Sequence, residues 1–185
     1  MKTVQHPLLL TLLGLALAAS AATLLRVDPA TSNVSAVFKQ MNVPVEAKFK
    51  NFKIVIDYNE ATPDVSKAAV DVDTSSLDVG DAEMNKEVAK KEWFNSAQFP
   101  KATFVSSTIK SAGPGKLNVT GKLTIKGKTT DVRFTLTVKT DAGKHVFEGA
   151  LPIKRLAYNI GEGEWKDTDM VADDVTIKFR VTAAQ

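Results

Sequence analysis

Apolar residues recur at every second position over most of this chain, which commits it to strands with one buried face. Val34, Ala36 and Phe38 share a side in residues 33–39, as do Val43, Val45, Ala47 and Phe49 in the next run. The phase shifts at Asn51, after which Phe52, Ile54, Ile56 and Tyr58 carry the apolar side. That shift reads as a bulge or as two consecutive strands. Further period-two runs lie at 67–73, 102–110, 145–153 and 174–181. The strongest hairpin signal is 116–139. Leu117, Val119, Leu123 and Ile125 face inward on one arm, and Val132, Phe134, Leu136 and Val138 on the other, with 126–131 as the turn. One segment, 81–100, lacks alternation and is rich in helix formers, with Asp81 placed as an N-cap and Met84 and Val88 on one face. The expectation is an all-β fold with one short helical insert and eight or nine antiparallel strands. Closing such a sheet into a barrel removes its exposed edges, although a sandwich satisfies the same alternation.

The ends and the composition narrow the function. Residues 1–22 read as a cleaved signal peptide: Lys2, an apolar run over 8–19, then the small residues Ala19, Ser20, Ala21 and Ala22. The run is short for a bilayer crossing and is broken by Gly14, so export to the periplasm is expected rather than a stable membrane span. Residues 23–185 then form a single domain of a size that supports its own core. The chain has no cysteine, which removes thiol catalysis, disulfides and thiolate metal sites together. With His6 in the leader, His145 is the only histidine left, and its place after the turn residues 140–144 reads as a hairpin end. Lys and Asp/Glu are interspersed, so there is no nucleic-acid footprint. The sequence does not decide between a monomer and a homodimer.

The order of motifs resembles the YceI-like family across the whole of 23–185. Asp28, Ser32 and Val34 resemble that family's opening strand, and residues 72–88 its following turn. Phe94, Phe99, Pro100, Phe104 and Ser106 match its aromatic run, and Gly121, Leu123, Thr124, Ile125 and Gly127 its hairpin. The Gly161-x-Gly163-x-Trp165 turn is similar to one branch of the family. Ala47-Lys48-Phe49 and Gln40-Met41-Asn42 stand where other branches carry a Gly-x-Phe pair and a histidine. The resemblance implies a lipocalin-like antiparallel β-barrel of about eight strands. Such a barrel would hold an isoprenoid-type lipid, a polyprenyl chain or a quinone tail, without catalysing a reaction. No other cofactor and no metal is implied.

The candidate ligand-binding residues follow from the alternation. Phe38, Phe49, Phe52, Phe104, Leu123, Ile125, Phe134, Leu136, Phe147 and Phe179 would face the interior, and Trp165 would plug one barrel end. Small barrels also fill themselves with such side chains, so a packed interior that serves only interactions stays open. Lys126, Lys128 and Arg133 flank one hairpin turn and could meet a lipid head group. The acidic stretch 159–174 offers Glu162, Glu164 and Asp167 as a hydrolase-like cluster. It fails the spacing of a calcium loop, and Gly161 and Gly163 open no dinucleotide fingerprint. Asp173 and Asp174 are expected to begin the last strand.

Overall fold

The computed structural model describes residues 22–185, so the expected leader, apart from Ala22, lies outside the described residues. Ten strands form one antiparallel sheet: β1 (Thr23–Gln40), β2 (Val43–Phe49), β3 (Phe52–Tyr58), β4 (Lys67–Asp73), β5 (Leu77–Asp78), β6 (Lys101–Ser111), β7 (Lys116–Ile125), β8 (Lys128–Asp141), β9 (Lys144–Lys154) and β10 (Val171–Ala184). Eight of them close a ring in the order β1–β10–β9–β8–β7–β6–β4–β3 and back to β1. The barrel, rather than the sandwich, is therefore the fold.

The phase shift at Asn51 separates two strands that flank successive parts of β1. The start of β1 pairs with β3, and its second half pairs with β2, which in turn carries the short β5. Ser76 fastens the step between them: its carbonyl accepts the Lys50 N–H at 3.1 Å and its hydroxyl accepts the Asn51 N–H at 3.1 Å. β1 is also longer than the alternation suggested. Its register with β10 slips between Asp28 and Asn33, where the Asp28 carboxylate accepts the Ala30 N–H and the Thr31 hydroxyl. Those local bonds replace the missing ladder and carry the strand through Pro29.

The hairpin turns are tighter than the sequence implied. The β7–β8 turn is only Lys126-Gly127, not 126–131, and both residues have positive φ, as a type I′ turn requires. Met41-Asn42 and Ala142-Gly143 repeat the pattern. The insert forms one helix, α1 (Ala82–Val88), capped as expected by Asp81, whose carboxylate accepts the Met84 N–H at 2.8 Å. The rest of 81–100 is turn. The last strand begins at Val171, so Asp173 and Asp174 lie inside it rather than at its start.

Candidate functional site in the barrel interior

Inward residues of the eight ring strands line a cavity of about 160 Å³ at mid-barrel, whose wall exposes no polar atom. Its belt is aromatic: Phe134 lies 5.6 Å from Phe104 on one side and 5.6 Å from Phe179 on the other. Two glycines make room for these rings. A Cβ on Gly121 would stand 2.6 Å from the Phe104 ring, and one on Gly149 would stand 2.4 Å from Phe179. Both glycines occupy inward positions where the alternation would otherwise place a side chain. Tyr58, Phe147 and the ring of His145 close the far end, with Tyr58 5.2 Å from each of the other two. Burial pushes the Tyr58 hydroxyl's pKa up, and Glu60 adds to that.

A second apolar chamber of about 110 Å³ lies toward α1, and Ile125 and Ile177 line both chambers. Phe38, Met84, Val88, Trp93, Ile160 and Trp165 contribute to its wall. Trp93 and Trp165 meet at 5.3 Å between ring centroids, although 72 positions separate them. Arg155 lies beneath, 2% exposed, with its guanidinium carbon 5.8 Å from the centre of the Trp93 ring. Its donors go to backbone carbonyls: Nε to Ala172, Nη1 to Ile160 and Gly161, and Nη2 to Trp165, Asp167 and Val171. Burial lowers its pKa while Asp173 raises it.

The structure distributes the sequence candidates unevenly. Phe104, Leu123, Phe134, Leu136, Phe147 and Phe179 line the mid-barrel chamber, Ile125 lines both, and Phe38 and Trp165 line the second. Phe49 and Phe52 line neither. Phe49 packs edge-on against Phe94 at 6.2 Å, and Phe52 sits opposite Val72 in the sheet beside the kink. The aliphatic lining, including Ile54, Ile56, Val70, Ile109, Val119 and Val181, lies on the same inward alternation as the aromatic candidates and shares the wall with them. Trp93 and Arg155 had no comparable signal.

The basic and acidic candidates do not form separate sites. Lys126 is buried: its ammonium donates to the carbonyls of Lys91 and Asn159 at 2.7 Å each and to Glu162 at 2.8 Å. It is therefore not the exposed head-group cation that its place in a turn suggested. Lys128 and Arg133 are exposed, and Arg133 stands opposite Thr120 on the outer face of the barrel, away from the chambers. The Lys126 contact holds the Glu162 carboxyl below the usual range, which suits a structural carboxylate and not a proton donor. Glu164 and Asp167 are exposed around the 3-10 turn Gly163–Lys166, and Asp167 accepts the Asp169 N–H at 2.8 Å. Among the described residues no group of acids and histidine has the geometry to hold a metal ion.

The fold has counterparts among solved structures. The structure of BcnA from Burkholderia cenocepacia is 50% identical, with a TM-score of 0.83, over 85% of this chain and 99% of that one. A polyisoprenoid binding domain from Saccharophagus degradans shares the fold at 16% identity and a TM-score of 0.69, over 88% of this chain and 98% of that one. A UPF0312 protein of Pseudomonas fluorescens is 40% identical over 93 residues, 50% of this chain and 48% of that protein. Protein YceI of Salmonella arizonae is 38% identical over 84 residues, 45% of this chain and 44% of that protein. The chain thus aligns with about half the length of these curated relatives. The YceI-like domain pattern itself matches residues 25–183, from the first strand of the barrel to the last. The chain belongs to the YceI-like domain family.

Proposed function

We propose that this protein is an exported, non-catalytic carrier that holds an isoprenoid-type lipid, a polyprenyl chain or quinone tail, inside its barrel. The observation that carries the reading is the pair of adjoining chambers whose walls expose only apolar surface. A void of this kind costs about 24 cal/mol per Å³, which makes the empty mid-barrel chamber alone unfavourable by roughly 4 kcal/mol. Water does not relieve that cost, because dry apolar cavities of such size exclude it and admit hydrocarbon instead. Each CH₂ that a guest buries adds about 0.8 kcal/mol, so a branched hydrocarbon chain binds without polar partners. The polyisoprenoid binding domain that shares this fold supports the same ligand class.

A hydrolase-like role for the acidic stretch has no matching geometry, since Glu162 is tied to Lys126 and its neighbours face solvent. The leader-like residues 1–22 support export to the periplasm. The test is a fluorescent prenyl probe titrated into delipidated protein. Saturable binding that squalene displaces is expected; a probe that never saturates removes the carrier reading.

A further inference from the structure

Four large apolar side chains stand in solvent at the end of the barrel that holds the second chamber. Met41 is 62% exposed, Val43 61%, Met170 44% and Met84 37%. The backbone gathers them at that chamber's rim. Met84 lines the chamber itself, as do Gln40 and Val171. Val43 stands opposite Gln40 in the β1–β2 ladder, and Gln40 stands opposite Val171 in the β1–β10 ladder. The Met41 N–H donates to the Met170 carbonyl at 2.9 Å, which ties the hairpin tip to the start of β10. Apart from Met1, these are all the methionines of the chain.

Met41 also sits badly on its own backbone. It has a φ of 47° as the first residue of the Met41-Asn42 turn, a position that favours Asn, Asp or Gly. The fold gains little packing in return, because most of the side chain is in water. A surface outside the chain that takes up the methionine supplies the missing gain. Methionine suits that use, since its flexible, unbranched thioether adapts to irregular apolar surroundings.

The charges beside the rim narrow what that surface is. Glu83 pairs with Lys86 and Glu87 with Lys90 on and just after α1. The other flanking segments add Lys39 and Lys166, but also Asp167 and Asp169. This mixture has no surplus of cations with which to hold an anionic surface. Continuity with the chamber points to the occupant. On the carrier reading, the guest is a hydrocarbon that leaves a bilayer, and whatever covers this rim also covers the chamber's edge at Gln40 and Met84.

We infer that Met41, Val43, Met84 and Met170 form a docking rim for the uncharged surface of a lipid bilayer. The rim inserts by its apolar side chains, and the prenyl guest passes between bilayer and second chamber without crossing water. Ile125 and Ile177, which line both chambers, mark its way on to mid-barrel.

The test uses Met41→Asn combined with Met170→Gln, in protein purified after export and loss of the leader. Neither residue lines a chamber, and asparagine suits the backbone at 41. Three quantities are read: flotation with phosphatidylcholine vesicles, the rate at which a fluorescent prenyl probe moves from those vesicles to the protein, and the affinity for the same probe in solution. The variant is expected to bind vesicles roughly threefold to tenfold more weakly and to take up probe from them more slowly by a similar factor. Its affinity for dissolved probe and its melting temperature should not fall. Equal flotation of variant and parent overturns the docking rim, as does flotation that requires phosphatidylglycerol and is lost in high salt. Parent protein that takes up dissolved probe but ignores vesicles overturns it too. A dimer in sedimentation that the substitutions dissolve assigns the rim to a second copy instead. Failure to bind dissolved probe overturns the carrier reading itself.

Discussion

Ala68→Leu separates an open chamber from a filled core, because the two accounts predict opposite signs. Ala68 lies on β4 opposite Ile56 and lines the mid-barrel chamber. The substitution adds three carbons at that wall, worth about 2.4 kcal/mol if they enter empty space at about 0.8 kcal/mol each. Restricting the new side chain costs about 0.5–1 kcal/mol. The delipidated variant should therefore be more stable by about 1.5 kcal/mol, which raises Tm by roughly 3–6 °C in a chain of this length. Lipid affinity should move the other way, since the leucine occupies volume the guest needs. Urea unfolding of the delipidated variant, with a prenyl-probe titration beside it, reads both quantities. A loss of 1 kcal/mol or more in the delipidated protein would mean overpacking of an already filled interior and would refute the reasoning.

Gly149→Val should cost about 1–3 kcal/mol and weaken prenyl binding, because the new side chain starts 2.4 Å from the Phe179 ring; thermal melts and the same titration check it. Lys126→Met should cost about 1–3 kcal/mol, chiefly from the bonds to the Lys91 and Asn159 carbonyls, since the Glu162 carboxylate keeps 42% of its exposure; urea unfolding reads the loss. Acid should destabilise the fold in a defined direction. The Lys126 ammonium holds the Glu162 carboxyl down, and the Thr31 and Ser75 hydroxyls do the same for Asp28 and Asp73. Each folded-state pKa lies below its unfolded value, so their stabilisation is complete above the usual carboxylate range and is lost as pH falls below about 4. Melts across pH 2.5 to 7 check this, and Glu162→Gln should flatten part of the slope.

What was legible in the sequence is what depends on neighbours along the chain. The β7–β8 alternation, from Leu117 to Val138, and the Asp81 cap are local, and both formed as expected. What was not legible depends on partners far away. Lys126 looked like a solvated turn lysine because its acceptors come from Lys91, Asn159 and Glu162, more than 30 positions distant. Arg155 has nothing in its sequence surroundings to announce a buried guanidinium, and its acceptors lie 5 to 17 positions downstream on a folded-back segment. Phe49 and Phe52 had the right period for the interior. They flank the step between β2 and β3, where Phe49 packs on Phe94 and Phe52 stands opposite Val72, so each lies one residue removed from a chamber lining.

Native mass spectrometry tests the central claim most directly, because it weighs the protein with whatever its interior holds. Protein purified gently from isoprenoid-producing cells should carry one non-covalent apolar molecule. That mass should vanish on delipidation and be replaced by a single added prenyl chain. A bare polypeptide mass before delipidation and after incubation with prenyl lipids would contradict the account.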